Sequence, residues 1–407
     1  MKKWLSNIGP GTLVTAAFIG PGTVTVCTLA GVNFGFTLLW ALVLSIVACI
    51  VLQEMAARLG VITQNGLSEV VRSQLKNNAV VKWVFIGVII SAIFVGNAAY
   101  EAGNISGGVL GLSTILGSPN IELGGVSMNY MSIIIGLVAF VLLYIGNYKV
   151  LERSLVVLVL LMSIAFIVTA IATKPDLSLV FKGFVPEIDS EKLFTIIGLI
   201  GTTVVPYNLF LHASLVKEKW NDPAQLPFAR KDTIIAIVVG GVMSMAIIIA
   251  GAAIQNTEVN NAADLAKSME PIFGSAAKYV LSLGLFAAGI TSAITAPLAA
   301  AYVVKGCLGW EVGLKSAKFR MVWIFILLLG VIFSSLGIKS IEVIQFAQIT
   351  NGILLPVIAG FLLWVMNRKE LLGKYTNSKT QNAIGSLIVL VTLFLGIRSI
   401  WKVIENL

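Results

Sequence analysis

Histidine occurs once in this 407-residue chain, as His212, cysteine occurs three times, and charged residues make up only 12% of it. Each scarcity excludes something. An ordinary soluble domain carries about a quarter of its residues as charge, so a soluble enzyme is excluded. Cys27, Cys49 and Cys307 show no paired spacing, which gives no disulfide framework and no zinc site. A single histidine without a thiol pair or an acid cluster leaves little catalytic machinery for a membrane enzyme either. There is no Gly-x-x-x-x-Gly-Lys-Ser/Thr run and no sizeable polar domain to hydrolyse a nucleotide. No cofactor is expected, and solute movement is expected to be driven by a gradient or passive.

Apolar sequence is what the chain has in abundance. Hydrophobic residues make up 57%, and they fall into stretches of about 17–25, the length a helix needs to cross roughly 30 Å of hydrocarbon. Spans are expected at approximately 8–31, 35–59, 83–111, 129–147, 154–173, 194–216, 232–255, 277–304, 321–337, 341–366 and 383–402. The reading is an all-α integral membrane protein of about eleven transmembrane helices in one domain, 1–407. The first span follows Lys2 and Lys3 but is interrupted by Gly20-Pro21-Gly22 and shows no cleavage site, so it is expected to persist in the mature protein.

The net charge of +9 does not form the basic stripe of a nucleic-acid-binding face. The cations lie scattered in short loops. Placing the N-terminus in the cytoplasm puts most of them on the inner side, including Arg72, Lys76, Lys217, Lys219, Arg230, Lys231, Lys315, Arg320, Arg368 and Lys369. The expectation is a multi-pass protein of a cytoplasmic-type (inner) cell membrane. Its partners are the lipid bilayer, a small ion or solute, and a coupling ion, H⁺ or Na⁺.

Two spans are interrupted near their middles, the first at Gly20-Pro21-Gly22-Thr23 and the sixth at Val205-Pro206-Tyr207-Asn208. Proline removes a backbone donor and clashes with the preceding turn, so unwound backbone at this depth needs protein or a watery cavity around it. The two breaks hold similar places in two successive sets of five helices, the arrangement that marks a midplane binding site. Packing kinks are the bland alternative.

Leu38-Leu39-Trp40, the run Leu52-Gln53-Glu54-Met55-Ala56-Ala57-Arg58-Leu59-Gly60, the run Pro206-Tyr207-Asn208-Leu209-Phe210-Leu211-His212 and the segment Ser292 to Trp310 resemble the second, sixth and eighth helices of the Nramp family (natural resistance-associated macrophage proteins). The resemblance covers nearly the whole chain. It implies a LeuT-like fold of two inverted five-helix repeats, about 8–173 and 194–366, with helices 1 and 6 broken and one extra helix at about 383–402. It implies alternating access and proton-coupled import of manganese or iron. The family's metal site uses Asp-Pro-Gly-Asn in the first helix and Met-Pro-His in the sixth. Here Gly20 stands for the aspartate, Thr23 for the asparagine, Val205 for the methionine and Tyr207 for the histidine.

That change bears on the charge of the substrate. A divalent ion 4 Å from one carboxylate gains about 8 kcal/mol at an effective dielectric of 20, and no acid stands at either break. Half-helix N-termini carry free N–H groups and partial positive charge. With Gly20, Pro21, Gly22, Thr23, Val205, Tyr207 and Asn208 around them, a small inorganic anion such as bicarbonate leads this reading. The alternative is a divalent cation, Mg²⁺ or residual Mn²⁺, held with most of its water by neutral oxygens. A channel or sensor built on the same fold is the rival from another class, though no continuous polar pore is evident.

Further polar residues lie inside the spans. Asn97, Glu101 and Asn104 share one face of the third helix with Tyr100 at its edge, and an intramembrane acid costs several kcal/mol unless paired or protonated. Glu101 is a candidate for proton coupling or a hydrogen-bonded structural carboxyl. His212 matches a histidine of the family's proton and conformational pathway and is equally ordinary as a neutral bridge between helices. In the tenth span Gln348 or Ile349 falls nearest the family's glutamine ligand, and Gln348 is read as a pocket wall or an interhelical amide. Glu54 and Arg58 are read as a snorkelling ion pair.

Overall fold

The computed structural model describes residues 19–75, 78–123, 126–146, 149–255 and 257–405. The first part of the expected first span therefore lies outside the described residues. Among the described residues nine segments are long and apolar enough to cross a membrane, and Tyr130–Ile145 adds a shorter apolar helix.

The chain runs α1 (Pro21–Phe34), α2 (Leu39–Thr63), the short α3 (Leu67–Gln74) and the long α4 (Ala79–Leu116). A small hairpin follows, β1 (Asn120–Leu123) antiparallel to β2 (Val126–Asn129), which the sequence reading did not include. Then come α5 (Tyr130–Ile145), α6 (Lys149–Ala172), the short α7 (Leu177–Lys182), α8 (Leu193–Thr203), α9 (Pro206–Lys219) and α10 (Leu226–Ala252). After two short turns of helix, α11 (Ala262–Ala266) and α12 (Glu270–Phe273), the chain closes with α13 (Ala277–Leu308), α14 (Ala317–Ser334), α15 (Ser340–Val365), the short α16 (Lys369–Leu372) and α17 (Lys379–Glu405).

Most helices sit where hydropathy put them, and edges move where capping decides. The second span begins at Leu39 rather than 35 because Gly35, at φ +59, turns the chain first. The third extends back to Ala79, where the Asn78 side chain accepts the Val81 N–H. The seventh opens with Pro227 in its first turn and takes Arg230 and Lys231 into the helix instead of leaving them in a loop.

The third helix is the hub. α4 packs against α13, α14 and α15, and the α4–α13 crossing is close because small residues meet there. A β-carbon on Gly289 would lie 2.6 Å from the Gly108 nitrogen, so a larger side chain would push the two backbones apart.

One sequence reading is corrected. Arg58 does not snorkel: it is 2% exposed and folded under the segment that precedes α17. It donates to Glu54 at 3.1 Å, to Asn377 Oδ1 at 2.7 Å and to the Tyr375 carbonyl at 2.9 Å. Glu54 in turn accepts from Arg230 of α10 at 2.8 Å. Two of its partners lie some 320 positions away in sequence, so local spacing could not reveal its burial.

Candidate functional site

The sixth span is broken as its sequence requires. α8 ends at Thr203, Val204 leaves helical geometry at ψ 77°, Val205 is extended at ψ 121°, and α9 restarts with Pro206 at its first position. Both valines are fully buried, so the unwound backbone lies inside the protein. The carbonyls of Gly201, Thr202 and Thr203 have no following turn to accept from. α1 repeats the pattern: Gly20 is extended at φ −82° and ψ 175°, and Pro21 opens the helix.

These two breaks meet each other and α15. Thr23 Oγ1 and Thr202 Oγ1 lie 2.8 Å apart. The Gln348 side chain occupies the space in front of Gly22, and the Gln348 backbone carbonyl lies against Gly201. Ile349, the other register considered for the family's glutamine, faces Gly198 instead. The Pro21 ring fits against Gly107 of α4. Tyr207, in the first turn of α9, packs edge-on to Tyr100 of α4 with ring centroids 5.4 Å apart. Thus Gly20, Pro21, Gly22, Thr23, Val205, Tyr207, Asn208 and Gln348, together with Tyr100, are brought to one place in the bundle.

The polar chemistry there is neutral and unsatisfied. Among the described residues neither amide atom of Asn208 has a hydrogen-bond partner, and the Gln348 Oε1 has none, although both residues are 1% exposed. A buried polar group without a partner costs about 1–3 kcal/mol, so three such atoms at one break are poised to receive a polar guest. The available ligands are two amide oxygens, an amide N–H₂, hydroxyls and backbone groups of both signs. No group of three or more His, Cys, Asp or Glu residues gathers among the described residues to hold a metal in the usual way.

The coupling candidates separate into two places. Asn97 donates to the Ala296 carbonyl of α13 at 2.9 Å and so fastens two helices. Glu101 is fully buried against Gly330 of α14, with its Oε2 accepting from Asn104 at 3.4 Å and its Oε1 unpartnered among the described residues. His212 lies one turn beyond Asn208, joined through Nδ1 to Gln53 Oε1 of α2 at 2.6 Å and through Nε2 to Thr233 Oγ1 of α10 at 3.4 Å. Sequence reading missed Thr202, Gln53 and Thr233. Thr202 sits within the Gly-Thr-Thr run beside the break, a local signal; Gln53 and Thr233 show none, because only packing sets their partner.

Broken helices meeting at the middle of an all-helical bundle define a multi-pass membrane transporter, not an enzyme, with secondary transport as its mode. Comparison with known proteins gives the particular group. The sequence profile described as natural resistance-associated macrophage protein-like matches residues 11–402, and the chain belongs to the Nramp family. It is 27% identical, over 97% of its own length and 94% of the other's, to the divalent metal cation transporter MntH of Yersinia pestis (strain Pestoides F). Its fold is similar to that of the Eremococcus coleocola manganese transporter, with a TM-score of 0.78 over 98% of this chain and 87% of that one at 21% identity. Its fold is also similar to that of a nucleobase-cation-symport-1 family transporter, at a TM-score of 0.58, 12% identity, and coverage of 98% of this chain and 93% of that one.

Proposed function

We propose that this Nramp-family chain carries a divalent metal cation across the membrane by alternating access, the ion being held at the meeting of the two breaks by neutral oxygens and retained water. The observation that carries this reading is a pair of buried, unpartnered amide oxygens, that of Gln348, whose side chain lies in front of Gly22, and that of Asn208 in the first turn of α9. Hard oxygen ligands suit Mg²⁺ or Mn²⁺, and Mg²⁺ in particular dehydrates reluctantly and keeps several waters. A hydrated ion needs fewer direct carboxylates, which fits a site that has lost the family's aspartate and methionine.

The small-anion reading put forward from sequence, with bicarbonate as its example, gives way. The Yersinia pestis relative is a divalent metal cation transporter and the Eremococcus coleocola neighbour a manganese transporter, and nothing in the comparisons supports bicarbonate. One observation keeps it as a second reading: α1 and α9 both begin at the breaks, so two positive half-helix ends point there, and neither first turn holds an acidic residue.

The chain forms one transmembrane domain, with repeats at about 8–173 and 194–366 and an extra helix at about 383–402. Its basic loops face the cytoplasm and its N-terminus lies there, in a cytoplasmic-type membrane. Glu101 and His212 are the groups placed to couple transport to protons, one in the helix beside the site and one in the helix that carries Asn208.

Uptake of Mn²⁺, Mg²⁺ and labelled bicarbonate into proteoliposomes, with wild type and Asn208→Asp side by side, tests this. Saturable divalent-ion uptake that tightens in Asn208→Asp supports the cation, because a carboxylate now faces the ion. Bicarbonate uptake that Asn208→Asp abolishes, with no metal uptake by wild type, overturns it in favour of the anion.

A further inference from the structure

A groove runs between the first turns of α4 and the last turns of α15, at the end of the bundle that carries Arg58. On α4 it is walled by Val81, Phe85 and Val88, spaced i, i+4 and i+7, and on the opposite side by Gly360, Trp364 and Arg368. Val81, Phe85 and Val88 form one stripe of α4, Gly360 and Trp364 one stripe of α15, and Arg368 follows just past the end of α15, so the groove runs along the two helices. It encloses a cavity of about 590 Å³, within the roughly 300–1,000 Å³ range of sites that bury small ligands.

Three features mark it as something other than loose packing. A β-carbon on Gly360 would meet no atom within 4 Å, so the floor of the groove is open where α15 has no side chain. Phe85 and Trp364 face one another across the groove with ring centroids 6.4 Å apart. At its mouth the Arg368 guanidinium lies over the Trp364 ring, 4.5 Å from its centroid, and forms no ion pair with any acid among the described residues. Val88, 44% exposed, opens the groove to the hydrocarbon side.

We propose that this groove binds one anionic phospholipid, an acyl chain lying along the α4 and α15 stripes and the phosphate headgroup resting on Arg368. Charge and polarity both select this occupant. The walls offer a chain nothing but apolar surface, and the only charged group in the lining stands at the end where headgroups lie. Arginine binds phosphate through a planar fork of donors, and stacking on Trp364 orients that fork. A zwitterionic lipid would place its ammonium beside the same cation and gain less.

The experiment is native mass spectrometry of purified protein after exchange into bicelles of phosphatidylglycerol and phosphatidylethanolamine in equal amounts, comparing wild type, Arg368→Gln and Gly360→Leu. Circular dichroism melting confirms that each variant is folded. Wild type is expected to retain one phosphatidylglycerol. Arg368→Gln, at an exposed position outside the transport site, is expected to lose about fivefold in preference for it, the effect of one surface cation on an anionic lipid. Gly360→Leu is expected to lose retention of either lipid, because the new side chain fills the floor. Soluble glycerol phosphate in excess is expected not to displace the lipid. Undiminished phosphatidylglycerol in Arg368→Gln, equal retention of the two lipids by wild type, undiminished retention in folded Gly360→Leu, or displacement by glycerol phosphate would each overturn the proposal.

Discussion

The hydroxyls of Thr23 and Thr202 lie 2.8 Å apart across 179 residues of sequence, joining the restart of the first helix to the end of the first half of the sixth. This bond crosses between the two repeats at the level of the breaks. It holds the two unwound segments in one register.

Thr202→Val keeps the shape of the side chain and removes the hydroxyl. An interhelical hydrogen bond in a membrane is worth roughly 0.6 kcal/mol on average, so the folded protein should survive with a slightly lower melting temperature. Substrate uptake should show a raised KM, whereas Thr202→Ser should restore both values. Proteoliposome uptake and melting curves of the three proteins check this.

Gly22 and Gly201 both touch Gln348, in ways that predict different failures. A methyl group on Gly22 would meet the end of the Gln348 side chain, which can swing away. Gly22→Ala should therefore fold normally and transport poorly. A methyl group on Gly201 would meet the backbone of α15 at Gln348 and Gly352, which cannot move alone. Overpacking of that kind costs about 1–3 kcal/mol or more, so Gly201→Ala should be impaired in melting temperature and yield before transport is considered. Melting curves set beside uptake rates separate the two outcomes.

Glu101 keeps one carboxylate oxygen without a partner among the described residues, at the bundle's centre. Glu101→Gln preserves the shape and the bond to Asn104 while removing proton exchange. If Glu101 couples transport to protons, the variant's uptake should vary less steeply with external pH between about 5 and 8 than that of wild type, any remaining dependence belonging to His212. A pH profile identical to that of wild type would make this carboxyl structural and leave His212→Ala as the next variant.

Arg58 fastens α2 to the segment before α17, and Glu54 extends the network to Arg230. Hydrogen bonds to charged groups are worth about 1.5–3 kcal/mol each, so Arg58→Ala should lower the melting temperature markedly. Glu54→Gln should cost at least as much, because Arg58 and Arg230 then face each other without their shared anion. Equal melting temperatures for wild type and both variants would show that this end of the bundle opens freely.

The positions of the spans, the break in the sixth helix and the family all lay in the sequence. Hydropathy over a membrane-length window, a proline inside an apolar run and a handful of local motifs depend only on neighbouring residues, so reading along the chain recovers them. Helix edges shifted where a cap acted, as at Asn78, and the hairpin of β1 and β2 was missed although each strand alternates polar and apolar residues about Gly124-Gly125, because four-residue runs are slight beside membrane-length hydropathy. Which of Gln348 and Ile349 faces Gly22, what His212 touches, and whether Arg58 reaches lipid headgroups or lies buried were settled only by tertiary packing. Each depends on the rotation of one helix against another or on a partner more than a hundred residues away, and a sequence read locally carries no record of either. The unpartnered amide of Asn208 belongs to the same class. Its residue type was visible from the start, but its burial without a partner among the described residues exists only once the bundle has closed around it.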